Sequence, residues 1–308
     1  MIRIGTNPIG WSNDDLRELG GDTSLETCLS EARQAGYAGI ELGHKFPRRA
    51  ETLRPLLATH GLDLVSGWYS ASLRTQTVNA EHAALRPHLD LLKAMGCAVL
   101  VFAETSGAVH GDRATPLSRG PVMADSEWHA FAAKLTDLAD AVAAEGVALA
   151  YHHHMGTVVQ SAADIDRLMA MTGPSVKLLL DTGHATFAGA DPVALARRHH
   201  ARVAHVHCKD VRPAIMREAQ GNDWSFLDSV VAGVFTVPGD CSVDFPAVLR
   251  ELPGYNGWLV VEAEQDPLKA HPLTYARMGY ANLRRFATDA GLAAEPALAS
   301  PTGATPPR

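Results

Sequence analysis

The sequence predicts an α/β protein, a single (β/α)8 TIM barrel with long loops after strands 4 and 7, and three observations carry that prediction. Apolar strand-like runs alternate with helix-like runs through eight units in about 290 residues, the pattern of parallel strands joined by crossover helices. Gly36, Gly61, Gly96 and Gly146 stand where helices end, the cap position before a short turn into the next strand. Four runs, VALAYHHH (147–154), VKLLLDTGH (176–184), RVAHVHCKD (202–210) and GWLVVEAEQD (257–266), end in residues able to ligate a metal. In such a barrel the C-terminal strand ends share one mouth.

Taken in order, IRIGT (2–6) precedes a helix pattern at 24–35, AGIEL (38–42) one at 49–59, LDLVSGW (62–68) one at 81–95, and AVLVFAE (98–104) one at 126–145. The second half repeats the rhythm: strands at 147–152, 176–181, 203–207 and 258–262, with helices at 161–171, 191–199, 244–251 and 272–289 and further helical pieces after the seventh strand. An open doubly wound sheet is the rival architecture, but no GxGxxG follows the first strand and no GxxxxGK[ST] occurs, so no phosphate-cradling turn is marked. The segments 105–125 and 211–240 are longer than ordinary connections and leave strand C-terminal ends, which suits lids over a site. The barrel is expected to span 1–290, and the Ala-, Pro- and Thr-rich tail 291–308 reads as disordered.

Composition bounds the function. With 46% hydrophobic and 20% charged residues the chain can bury a full core. The start, MIRIGTNPIGWSNDD, carries no basic segment followed by an apolar stretch, and no run approaches the ~20 apolar residues of a membrane span, so a cytoplasmic location without membrane contact is expected. Cys28, Cys97, Cys208 and Cys241 are scattered without a CxxC pair, which suits a reducing compartment. A net charge of -7 with no long basic run gives no footprint for a nucleic-acid backbone. A homo-oligomer remains open.

Side chains alternate along a strand, so His152 shares a face with His154, His205 with His207 and Lys209, and Glu262 with Glu264. Asp181 either caps a local turn, with Gly183 giving flexibility, or belongs to a site, and its place directly after Leu178, Leu179 and Leu180 favours the site. His205 lies one pleat deeper than His207 and reads as a hydrogen-bonded core histidine, leaving His207 as the better ligand. Glu262 falls nearer the barrel axis, while Glu264 orients a ligand or pairs with a cation. Histidines mixed with Asp and Glu suit a divalent ion with an open position: imidazole favours Zn, Co, Fe or Mn, and carboxylates shift preference toward Mn or Mg. Such an ion can chelate adjacent oxygens of a polyol or ketose and stabilise an enediolate, the chemistry of isomerases, epimerases and dehydratases alike.

Six segments carry a resemblance: NPIGWSNDD (7–15), AYHHHMGTVVQS (150–161), LLLDTGHA (178–185), HVHCKDVR (205–212), SFLDSVVAGVFTVPGD (225–240) and GWLVVEAEQDP (257–267). In this order they resemble the inosose dehydratases, within the xylose isomerase-like TIM-barrel superfamily, over residues 2–286. The resemblance implies a divalent metal held by Asp181, His207 and Glu262, with Mn or Co foremost and Zn, Fe or Mg open. At the remaining ligand position many relatives carry Glu; this chain has His152, and His154 on the same face is the alternative ligand or a substrate contact.

It further implies a hydro-lyase dehydrating 2-keto-myo-inositol (scyllo-inosose) to 3D-trihydroxycyclohexane-1,2-dione in myo-inositol catabolism, through a metal-stabilised enediolate. A ketose or inosose isomerase or epimerase on the same barrel is the alternative; a polyol-binding module and a metal-dependent nuclease fit less well. Glu262 or a neighbouring His is expected as base, His184 and Lys209 as proton donors or ring anchors, and His154 as a further catalytic group. Lys209 is read equally as an ion-pair partner of Asp210 or another acid. Trp11, Glu41, Trp68, Arg119 and Arg212 are the expected substrate contacts, against plainer roles of aromatic packing under a loop for the tryptophans, a structural hydrogen bond for Glu41 and solvation for the arginines, and the substrate is a small polyol ketone without phosphate.

Overall fold

The alternation closes on itself. In the computed structural model, which describes residues 1–293 and 295, eight parallel strands form one closed ring. They are β1 (Arg3–Thr6), β2 (Gly39–Leu42), β3 (Asp63–Ala71), β4 (Val99–Glu104), β5 (Ala148–His152), β6 (Lys177–Asp181) and β7 (Val203–Cys208), then, after a small antiparallel pair β8 (Asp210–Val211) and β9 (Phe235–Thr236), β10 (Trp258–Val261). β10 pairs with both β7 and β1 and so completes the barrel. The helices are α1 (Leu25–Ala35), α2 (Ala50–His60), α3 (Val78–Met95), α4 (Asp125–Ala144), α5 (Ala162–Met171), α6 (Thr182–Phe187), α7 (Pro192–His199), α8 (Pro213–Gly221), α9 (Phe226–Ala232), α10 (Phe245–Arg250) and α11 (Pro272–Asp289).

Most boundaries follow local chemistry. Gly36, Gly61 and Gly96 cap α1, α2 and α3 in the left-handed conformation, and Gly146, just past α4, has φ 85°. α3 begins before the expected residue 81 because the Thr77 hydroxyl accepts the Ala80 N–H at 3.2 Å and starts the helix early. α6 was not expected: Asp181 ends β6 and at once caps this short helix by accepting the His184 N–H at 2.8 Å.

Strand parity divides the core into two layers. Leu178, Leu180, Tyr151, Val206 and Leu259 point outward into the layer shared with the helices. Val101, Ala150 and Leu179 fill the barrel interior beneath the mouth, with Trp68, Val99 and Ala204 packed against them. Parity ends with the strand, and Trp11 shows it: beyond β1 the chain makes a 3-10 turn at Pro8–Gly10, Trp11 joins the outer layer, and its Nε1 donates to Glu31 at 2.7 Å. The expectation that Trp11 walls the substrate therefore has no structural support.

The two long connections meet over the mouth. The 105–124 segment carries one 3-10 turn at Leu117–Arg119, and the segment after β7 carries β8, α8, α9 and β9. Ser118 donates from its N–H and Oγ to Asp223 at 3.1 and 2.5 Å, the Leu117 N–H donates to the Trp224 carbonyl at 3.2 Å, and Arg113 pairs with Asp228 at 2.7 Å. Arg212 stays inside its own segment, donating to the Gly233 and Phe235 carbonyls and to Asp240. Arg119 is exposed and lines no part of the mouth cavity. Neither arginine covers the cavity, contrary to expectation.

The expected tail starts in order. The Ile2 N–H donates to the Ala293 carbonyl at 2.8 Å, the Glu295 N–H donates to the Ile2 carbonyl at 3.0 Å, and the Glu295 carboxylate accepts from Arg3 at 2.9 Å. The rest of that expectation, at 294 and 296–308, lies outside the described residues. Among the described residues no helix is long and apolar enough to cross a membrane.

Candidate metal centre and active site

Adjacent strand ends bring four ligand-type side chains together. Asp181 at the end of β6 pairs in register with His207 on β7, His207 pairs with Val260 on β10, and His152 ends β5 beside β6. Glu262 follows β10, two residues past Val260 and so on the same inward face. His152, Asp181, His207 and Glu262 each offer one atom, and these atoms lie within 4.8 Å of one another. His152 Nε2 is 3.5 Å and His207 Nδ1 is 3.6 Å from Asp181 Oδ2, the two imidazole nitrogens are 3.2 Å apart, and His207 Nδ1 is in close contact with Glu262 Oε2.

The donor set fits a divalent ion on three counts. Asp181 Oδ2 is buried and accepts no well-formed hydrogen bond, although Oδ1 of the same carboxylate is used in capping α6. Buried acceptors without partners are costly, and a cation removes that cost. The carboxylates of Glu41, Asp181 and Glu262, all held low, are at most 5% exposed and face two cations, Lys209 and His207, so the buried charge is short of positive partners. Finally, the His207 Nε2 faces Glu41 at 3.1 Å, and donating there turns Nδ1 and its lone pair toward the cluster. Two nitrogens and two oxygens suit Zn, Mn, Co or Fe and do not single out one.

The model of the family described as "Xylose isomerase-like TIM barrel" matches residues 29–286. The chain belongs to that family. Relatives in it include the "Rhizopine catabolism protein MocC" of Rhizobium meliloti, 55% identical over 94% of this chain and 90% of that protein. An "Inosose dehydratase" of Geobacillus thermodenitrificans is 44% identical over 89% of this chain and 94% of that protein. Among solved structures, the IOLI protein "with a binding zinc atom" is similar in fold, with a TM-score of 0.64 and 15% identity over 94% of this chain and 98% of that one.

In this xylose isomerase-like barrel a buried lysine braces the His152, Asp181, His207 and Glu262 quartet from behind. Lys209 Nζ lies 2.7 Å from Glu262, 3.3 Å from Glu264, 3.5 Å from Asp181 and 3.0 Å from His184 Nε2, and it rests on the Phe235 ring. Burial would lower its pKa, but Asp181, Glu262 and Glu264 together outweigh that and raise it, so the ammonium stays charged. Its partners are these acids rather than Asp210, whose carboxylate instead accepts the N–H groups of Gly239, Cys241, Ser242 and Val243. Gly183 supplies room rather than flexibility: a Cβ there would meet Lys209 Cγ at 2.5 Å and Cδ at 2.6 Å.

His154, His184 and Glu264 form a second cluster beside the quartet. The His154 and His184 rings lie 3.8 Å apart, and each Nε2 is just under 4 Å from Glu264 Oε1, at 3.8 and 3.9 Å. Burial lowers His152 to about 4 and His154 to about 3, which leaves both imidazoles neutral. For His207 burial acts the same way, but Glu262 and Glu41 on either side raise it well above the usual range. Burial pushes Glu262 up, yet His207 and Lys209 hold it down at about 2. Glu264 goes the other way, to about 7, because burial and the nearby Glu262 and Asp181 outweigh Lys209. Glu41 is held below the ordinary range by His207 and His205 despite its burial.

One cavity opens onto these groups. His152, His207 and Glu262 of the quartet line it, as do the expected His154, Glu41 and Trp68. The Trp68 ring stands edge-on to His152 and His154, at 5.1 and 5.5 Å. His205 is fully buried and hydrogen-bonds Glu41 at 2.8 Å, the core role read from its depth. Lys209, His184 and Asp181 lie behind the wall rather than on it. The structure adds Asn7, Asp15 and His110 to the lining. Asn7 continues the inward parity of Gly5 and was within reach of sequence reasoning; Asp15 and His110 sit on irregular loops where parity has no meaning.

Proposed function

We infer that the protein is a metal-dependent hydro-lyase that dehydrates 2-keto-myo-inositol to 3D-trihydroxycyclohexane-1,2-dione, a step of myo-inositol catabolism in the cytoplasm. The observation that carries this reading is the 44% identity to an inosose dehydratase across 89% of the chain, joined to a complete His152, Asp181, His207 and Glu262 quartet. When bound there, a divalent ion, with manganese or cobalt the first choice, polarises the ketone and stabilises the negative charge of the enediolate.

The chain's own residues supply the proton transfers. Glu262 faces the cavity, and its carboxylate takes the proton from the carbon beside the ketone. The hydroxyl on the following carbon then leaves with its bonding electrons and a proton from Glu264, which lines the cavity and whose pKa is raised to about 7, and departs as water. The remaining enol tautomerises to the dione. Lys209 holds Glu262 and Glu264 from behind and fixes both carboxylates relative to the ring.

An epimerase needs bases on opposed faces of the reacting carbon; His152 stands at the position of a second carboxylate with its Nε2 turned toward Asp181 and His207, which favours elimination instead. Trapping the product with an aromatic ortho-diamine, which condenses only with a 1,2-dione, tests the reading. Turnover of the inosose with no trapped adduct overturns it. The higher identity to MocC supports a second reading, in which the same chemistry serves rhizopine catabolism. A strain lacking the gene would then lose growth on rhizopine and keep it on myo-inositol.

A further inference from the structure

Two polar side chains on the cavity wall have no assigned task. Asp15 comes from the loop after β1 and His110 from the loop after β4, and both line the cavity that opens onto the quartet. Asp15 is held in place by its backbone. The buried Asn13 side chain accepts the N–H of Asp15 at 2.8 Å and of Leu16 at 2.7 Å, and Leu16 anchors the turn in an apolar cluster with Met155 and Phe226.

The neighbouring carboxylates divide the work. Asp14 is committed, accepting from His44 Nδ1 at 2.6 Å, whereas the Asp15 carboxylate accepts no hydrogen bond and closes no ion pair among the described residues. It is exposed and stands on the rim of the cavity. Partial desolvation by the surrounding loops raises its pKa, and the charges that act on it most are His110 and His154, followed by Glu264 and Asp14; no member of the quartet is among them. His110 packs against the His154 ring at 4.9 Å and Trp68 at 6.3 Å, is tethered through the Val109 N–H to the Gly156 carbonyl, and has a buried Nδ1 without a partner.

An acceptor without a donor and an imidazole, on side chains that line one polar cavity from two loops, make a site for hydroxyl groups. A cyclic polyol whose ketone lies at the quartet still presents hydroxyls on its far carbons. We propose that Asp15 and His110 bind those far hydroxyls and make the enzyme selective for a fully hydroxylated ring. The inference rests on the polyol reading of the cavity but not on the elimination step.

The test separates the two. Calorimetry of metal-loaded protein with myo-inositol, a ring without the ketone, reads binding alone; steady-state kinetics with the inosose reads turnover. In D15N and H110F we expect the Kd for myo-inositol and the KM for the inosose to rise about tenfold to a hundredfold, the weight of a hydrogen bond to a charged group, with kcat within about threefold. Unchanged Kd and KM, or a fall in kcat alone, overturns the proposal. Metal content and melting temperature equal to wild type show that the variants are folded. If wild type binds myo-inositol and leaves the inosose untouched, the hydro-lyase reading fails while the Kd series still supports the hydroxyl site. Wild type that binds neither ring overturns both.

Discussion

Lys209 and Glu262 form a buried ion pair, Nζ to Oε1 at 2.7 Å, on the carboxylate whose other oxygen faces His207. The pair ties the lysine's charge to the metal centre from behind the cavity wall. Removing one member of a buried pair costs more than the pair contributes, because the remaining charge is left alone. In the chelator-treated protein Lys209→Met should therefore lose about 3–5 kcal/mol of stability in urea denaturation. A loss below about 1 kcal/mol, the scale of an exposed pair, would show that the carboxylates are not held by this charge.

Gly183 and Lys209 test each other. Gly183→Ala places a Cβ against the lysine stem, and such overpacking costs about 1–3 kcal/mol. In the Lys209→Ala background the contacts with Cγ and Cδ are gone and only the Cβ at 2.8 Å remains, so the same substitution should cost clearly less. Additive losses in the double-mutant cycle would separate Gly183 from Lys209.

His152 and His154 should part company in a metal analysis. His152 stands in the quartet and His154 in the cluster with His184 and Glu264, so His152→Ala loses bound metal while His154→Ala retains it and loses turnover. The reverse pattern in inductively coupled plasma measurements would move the centre to the second cluster.

Metal uptake should be coupled to proton release. Glu262 and Glu41 raise the His207 pKa, so the metal-free protein carries a proton on His207 at neutral pH, and an ion at Nδ1 must displace it. Affinity then rises with pH up to the His207 pKa and levels off above it. Calorimetric titrations in buffers of different ionisation enthalpy count the protons released; no release at neutral pH contradicts the assignment.

Strand parity made the centre legible. His152, His207 and Glu262 are inward on alternation alone, and the Leu178–Leu180 run could only lead Asp181 to the mouth. Legibility stops where the strands stop. Trp11 turned outward through a 3-10 turn, Arg212 found carbonyls of its own segment, and Asp15 and His110 reached the cavity on loops whose direction depends on Asn13 and on the Val109 to Gly156 bond. Gly183 was misread for a related reason: its neighbour Lys209 is 26 residues away in sequence, and a missing Cβ has meaning only beside the group that fills its place.

The most direct test of the central claim is mass spectrometry of the reaction between manganese- or cobalt-loaded protein and 2-keto-myo-inositol, run in heavy water. The account predicts a product that has lost the elements of one water and carries one solvent deuterium on the carbon that lost its hydroxyl, where the enol is protonated, formed by wild type and absent with Asp181→Asn. A product of the substrate's own elemental composition, with solvent deuterium on carbon, would contradict it and assign the centre to an isomerase.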